Sequence, residues 1–101
     1  MELKRLILTG HALKRMNQRM ITYQEVEDCY LFGAVGFTNT GCQLYYNDTI
    51  RIVVSENRDS VTIITITYLH KYSNKIDKLI ENNVSLIQAV KQVRCEIGLA
   101  V

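Results

Sequence analysis

Apolar positions in the first third of the chain recur at helical spacing. Around residues 9–20, Ala12, Leu13, Met16 and Met20 share one side of a helix, while His11, Arg15 and Arg19 form a stripe on the other with Lys14 and Gln18 beside them. Thr9 is suited to cap this segment, and Thr22-Tyr23-Gln24-Glu25 has the spacing of a capping box, so a second helix is predicted from Thr22 to the Gly33 terminator. It would turn Tyr23, Val26, Tyr30 and Leu31 inward. The residues before Thr9, from Leu3 to Leu8, form a short apolar lead-in that fits a strand or an extended arm.

From Ala34 the period shortens to two. Residues 34–38 and 43–46 read as strands joined through Asn39-Thr40-Gly41, and Asn47-Asp48 reads as a turn into a third strand over 49–55. Residues 61–68 are dense in Val, Ile and Thr and give a fourth. Setting Ser55 opposite Val61 places Ile52 against Ile64, Ile50 against Ile66 and Val54 against Thr62 on an inner side. The outer side then pairs Arg51 with Thr65, Thr49 with Thr67, and Val53 with Ile63. Beyond residue 72 the helical period returns. Ser73 is predicted to cap a helix over 74–82, ended by Asn83, and Ser85 a last helix with Leu86, Ala89, Val90, Val93 and Ile97 on one stripe, ended by Gly98. That stripe must be buried on the sheet or in a homodimer through the C-terminal helices.

These elements predict one α+β domain over residues 1–101: two N-terminal helices packed on a four-stranded, mostly antiparallel sheet, followed by two C-terminal helices. With 101 residues, 48% of them apolar, the chain can bury one core and hardly two. A net charge of only +2 does not announce a nucleic-acid binder through bulk electrostatics, so an anionic partner would have to meet a local cluster such as the first helix. Cys29, Cys42 and Cys95 are odd in number and form no C-x-x-C pair, which points away from disulfides and towards reduced thiols in a cytoplasmic protein. No stretch approaches the length of a membrane span, and no leader is evident.

Glycine-rich phosphate loops, G-x-S-x-G elbows and H-E-x-x-H pairs are missing, and the two histidines, His11 and His70, lack a carboxylate at ligand spacing. No metal or cofactor is therefore expected. Of the tyrosines, Tyr23, Tyr30 and Tyr45 read as core and Tyr46, Tyr68 and Tyr72 as the exposed ones. What remains are side chains that can cut RNA without metal: proton-transfer groups for the attacking 2′-hydroxyl and the leaving oxygen, and cations for the charge that builds on phosphorus. His11 fits the base or the acid, Tyr68 or His70 the second proton-transfer group, and Lys14, Arg15, Arg19 and Arg51 the cations. The alternative is a noncatalytic module that uses the basic first helix to dock on RNA or a partner protein.

The run His11-Ala12-Leu13-Lys14-Arg15-Met16-Asn17-Gln18-Arg19, continued by Met20-Ile21-Thr22-Tyr23-Gln24-Glu25-Val26, resembles the opening of a bacterial domain family with the pattern H-A-x-x-R-M-x-x-R-G-I-S/T-x-x-E-V followed by a β-meander. The resemblance covers roughly residues 6–68, and that family is similar to RelE- and BrnT-type ribonuclease toxins. It implies a metal-independent endoribonuclease, with an antitoxin as protein partner, in which His11, Arg15 and Arg19 hold the motif's polar positions and Arg51 and Tyr68 match less closely. Met20 departs from the pattern, which has Gly there. Residues 73–101 lie outside the RelE/BrnT-like core of residues 1–72, as a helical extension able to cover the sheet or bind another chain.

Overall fold

The computed structural model describes residues 4–100; Leu3, at the start of the expected lead-in, lies outside them. The order is β1 (Arg5–Leu8), α1 (Gly10–Arg19), α2 (Tyr23–Phe32), β2 (Ala34–Phe37), β3 (Gln43–Tyr46), β4 (Ile50–Glu56), β5 (Ser60–Tyr68), α3 (His70–Glu81) and α4 (Leu86–Glu96). The sheet has five strands in the order β1-β5-β4-β3-β2. It is mixed, with three antiparallel pairings and one parallel, because the lead-in forms β1 and pairs in parallel with β5, Leu6 beside Val61 and Leu8 beside Ile63. The expected four-stranded sheet is thus corrected by a strand whose partner lies more than fifty residues away and leaves no local turn signal.

Local chemistry sets the helix ends. The Thr9 hydroxyl accepts the Ala12 amide at 3.1 Å and donates towards the carbonyls of Ile63 and Ile64, which fastens the start of α1 to the middle of β5. Met20 closes α1 in the left-handed region at φ 57, a conformation costly for a side chain with a Cβ. Thr22 and Glu25 form the capping box, each accepting the other's backbone amide. Gly33 ends α2 at φ −78, so its role is not a positive φ: a Cβ there would sit 2.3 Å from the Cys29 carbonyl oxygen and 2.6 Å from that of Tyr46. In the C-terminal half, Ser85 caps α4 through Gln88, as its position predicts. α3 starts earlier than expected, at His70, with Leu69 as a cap that makes no side-chain bond. Ser73 instead donates to the Tyr68 carbonyl at 3.2 Å.

The β4–β5 register also differs. Ile52 pairs with Ile66 and Ile50 with Tyr68, whereas nearer the turn Glu56 pairs with Val61. The shift falls between Val53, opposite Thr65, and Val54, opposite Ile63, which leaves Ile64 as the extra residue of a bulge. The bulge resets the alternation, so that Val61 and Ile63 before it and Ile66 and Tyr68 after it all face the core. Ile64, expected inside, is exposed.

One face of the sheet carries the core: Ile50, Ile52 and Val54 of β4 with those four residues of β5. Ala12, Met16, Val26, Cys29, Ile76, Ala89, Val90 and Val93 of the helices pack against it. The stripe of α4 is therefore buried within its own chain. The opposite face presents Arg51, Val53, Ser55, Thr65 and Thr67, all exposed or half-buried. Among the described residues no helix is long and apolar enough to cross a membrane.

Candidate functional site

The expected site residues separate into two groups. Arg51 on β4 stands directly across from Thr67 on β5, and α3 begins two residues after β5 ends, which brings His70 and Ser73 over the same rim of the sheet. Arg51, Thr67, Tyr68, His70 and Ser73 line a cleft of about 230 Å³. Arg51 and His70 are exposed there. The Asn74 amide lies 3.2 Å from His70 Nε2; when Asn74 donates, the neutral ring keeps its proton on Nδ1. The cleft thus offers a guanidinium, an imidazole and two hydroxyls, a set able to hold a phosphate and move a proton.

Tyr68 does not contribute its hydroxyl to this cleft. The side chain is 1% exposed, correcting its reading as a surface tyrosine, and the phenol donates to the Arg19 carbonyl at 2.6 Å and accepts from Arg94 Nη1 at 3.0 Å. Burial raises its pKa, although the neighbouring Arg94 opposes the shift. Proton release to a substrate would therefore require breaking the bond donated to the Arg19 carbonyl and turning the phenol out of the core. Tyr23, read as core, is conversely exposed.

The second group runs along the surface of α1. His11 and Lys14 are exposed and Arg15 and Arg19 half-buried, and none of the four side chains makes a hydrogen bond or ion pair among the described residues. Arg19 lies eight positions after His11, about 12 Å along the axis at 1.5 Å per residue. The Arg19 carbonyl meets the Tyr68 phenol inside the core, so α1 reaches Tyr68 from the covered side of the sheet and its stripe runs from there away to His11. The structure brings Arg51, Tyr68 and His70 together and leaves His11, Lys14 and Arg15 on a separate surface.

Periodicity did not reveal the group that ties these elements together. Arg94 is 2% exposed, and its guanidinium donates to both Glu25 carboxylate oxygens, at 3.1 and 3.0 Å, to Tyr68, and through Nε to the Ala100 carbonyl at 2.7 Å. Burial opposes its charge, but Glu25 and Tyr68 outweigh that and raise its pKa. Its place next to Val93 on an amphipathic helix carries the signature of a solvated arginine, so no sequence signal marks it. A second polar network joins Lys4, Glu56 and Tyr45: Lys4 Nζ lies 3.0 Å from Glu56 Oε2, and the Tyr45 hydroxyl donates to Glu56. Cys29 is buried, and burial pushes its thiol up to about 11, which leaves it inert as a nucleophile. Among the described residues no three His, Cys, Asp or Glu side chains gather as a metal site would require.

Residues 8–68, more than half of the chain, match the sequence model of a family described as a domain of unknown function, DUF4258. No curated protein matches the chain. The matched segment runs from the end of β1 through β5 and includes the α1 stripe, Arg51 and Tyr68, while His70, Ser73 and Arg94 lie beyond it. On this match the chain belongs to the DUF4258 family, a domain of unknown function.

Proposed function

We propose that this protein is a metal-independent endoribonuclease of the RelE and BrnT kind, which takes an RNA phosphodiester into the cleft between β4, β5 and the start of α3. The observation that carries the reading is the convergence of Arg51, Thr67, His70 and Ser73 around one opening on the uncovered side of the sheet. In this reading the Arg51 fork holds the non-bridging phosphate oxygens and stabilises the charge that grows on them as phosphorus becomes five-coordinate. His70 takes the proton of the 2′-hydroxyl on Nε2 as that oxygen bonds to phosphorus, the substrate hydroxyl displacing the Asn74 amide from that nitrogen, and the bond to the 5′-oxygen breaks with a proton from water. The products are a 2′,3′-cyclic phosphate and a free 5′-hydroxyl. His11, Lys14, Arg15 and Arg19, on their separate surface, offer a second place for the strand's backbone charge.

A noncatalytic RNA-docking reading is favoured by a specific feature: the Tyr68 phenol is fully engaged in the core and His11 stands away from the cleft, leaving His70 as the one accessible imidazole there. One experiment separates the two. Purified protein is incubated with total RNA in EDTA beside His70→Ala and Arg51→Ala, both at exposed positions, and the fragment ends are analysed. Cyclic-phosphate ends that appear with the native chain and fall at least 100-fold in either variant support the nuclease. Intact RNA in every lane, with salt-sensitive retention of the strand on the protein, discards it in favour of docking.

A further inference from the structure

The outer edge of the sheet is a self-complementary surface. β2 is the last strand, paired on one side only, by β3. In that ladder the Thr38 amide donates to the Cys42 carbonyl, and alternation along an antiparallel pair assigns the inward-facing backbone groups of β2 to Thr38, Gly36 and Ala34. The N–H and C=O of Val35 and Phe37 consequently point out of the sheet. Natural sheets protect such edges with lysine, proline or a bulge. This one has none of them: no charged residue occurs from Cys29 to Asn47, and β2 pairs in unbroken register. The apolar side chains beside the edge stand in water, with Phe32 at 82%, Phe37 at 73% and Val35 at 53% exposure.

We propose that β2 pairs antiparallel with β2 of a second copy of this chain, about a two-fold axis passing through Gly36. Val35 and Phe37 flank Gly36 symmetrically, so the axis sets Val35 opposite the partner's Phe37 and Phe37 opposite the partner's Val35. Both pairs carry the outward backbone groups, which yields four hydrogen bonds between strands. Gly36 faces Gly36 of the partner across the axis, where the lack of side chains removes any steric conflict. The uncharged edge opposes no like charges. At about 200 Å² for a phenylalanine, the two rings expose on the order of 300 Å² per copy. With Val35, Tyr46 and the strand edge added, the two copies would bury about 1,000 Å², the lower limit of a specific interface. A weak, concentration-dependent dimer is the expected form.

The test uses the full chain. Light scattering across a dilution series should show the apparent mass rising from one chain towards two as the concentration increases. Val35→Pro removes an outward donor while sparing the bonds to β3, and Phe37→Lys adds like charges across the axis; each should raise the dissociation constant at least tenfold. Circular dichroism confirms folding, and Phe37→Lys suffices should the proline variant unfold. Separately, Gly36→Cys in a Cys42→Ser, Cys95→Ser background has room for its side chain, with nearest neighbours at 3.5 Å, and should form an intermolecular disulfide on mild oxidation. A mass that stays monomeric at the highest concentration overturns the proposal. So does a dimer that Phe37→Lys leaves intact, or a Gly36→Cys variant that never cross-links.

Discussion

Arg94 and Glu25 meet as a two-pronged ion pair across the interior, Nη1 to Oε1 at 3.1 Å and Nη2 to Oε2 at 3.0 Å. Glu25 caps α2, so the pair joins the start of that helix to the last turn of α4, and through the Tyr68 phenol to the end of α1. Each guanidinium nitrogen and the Tyr68 hydroxyl finds an acceptor, and no buried side-chain polar atom among the described residues is left without a partner. Such pairs contribute little over a well-packed apolar replacement, yet removing one half leaves an uncompensated charge indoors.

Arg94→Ala is therefore expected to destabilise the protein by about 3–5 kcal/mol, whereas Arg94→Leu combined with Glu25→Gln should cost distinctly less than the single change. Urea unfolding of the parent and the two variants measures this. Equal losses in the single and double variants would show that the pair's geometry is not what matters.

The same group bears on what can fold alone. Residues 8–68 match the family, but Ile66 and Tyr68 on the sheet share a core with Ile76, Ala89, Val90 and Val93 of the extension. A chain ending at residue 72 would expose that side of β5 and strand Glu25. It is expected to lack a cooperative thermal transition, as followed by circular dichroism, while the full chain shows one.

Helix positions, the β-meander and the apolar face of β4 were legible because they rest on local signals: caps at Thr9, Thr22 and Ser85, and alternation at Ile50, Ile52 and Val54. The misreadings are nonlocal. β1 pairs with a strand fifty residues on. The bulge is hidden because Ile63 and Ile64 are identical, and either could be the inward residue until the turn at 57–59 and the pairing of Ile52 with Ile66 are both known. α3 opens at His70 with no capping side chain, so its start carried no letter to read. For the cleft, Arg51, Tyr68 and His70 were visible as chemistry. Tyr68 turns inward with Ile66 after the bulge, and the partner that holds its phenol there, Arg94, resembles a surface residue in any window of sequence.

Gly33 offers a test of close approach rather than flexibility. Both atoms that would crowd a Cβ are backbone carbonyl oxygens, of Cys29 in α2 and Tyr46 in β3, and neither can move without shifting an element. Gly33→Ala should lower stability by about 1–3 kcal/mol and lower the thermal midpoint. A variant as stable as the parent would mean that the α2–β2 junction relaxes freely.

The network of Lys4, Glu56 and Tyr45 gives a pH dependence with two limits. The Tyr45 hydroxyl first, and then Lys4, holds the Glu56 carboxyl below its ordinary range, so its contribution is complete above the usual carboxylate pKa and is lost as pH falls through the lowered value. Burial, followed by the Glu56 hydrogen bond, pushes the Tyr45 phenol upward, so its contribution is complete below about pH 10 and is lost as pH rises through the raised value. Tyr45→Phe keeps the ring against Tyr30 but removes the donor. It should cost on the order of 1 kcal/mol at neutral pH, and the difference from the parent should shrink in acid as Glu56 becomes protonated in both proteins. Denaturant midpoints recorded from pH 3 to pH 8 measure that difference, and a gap independent of pH would remove Glu56 from the account.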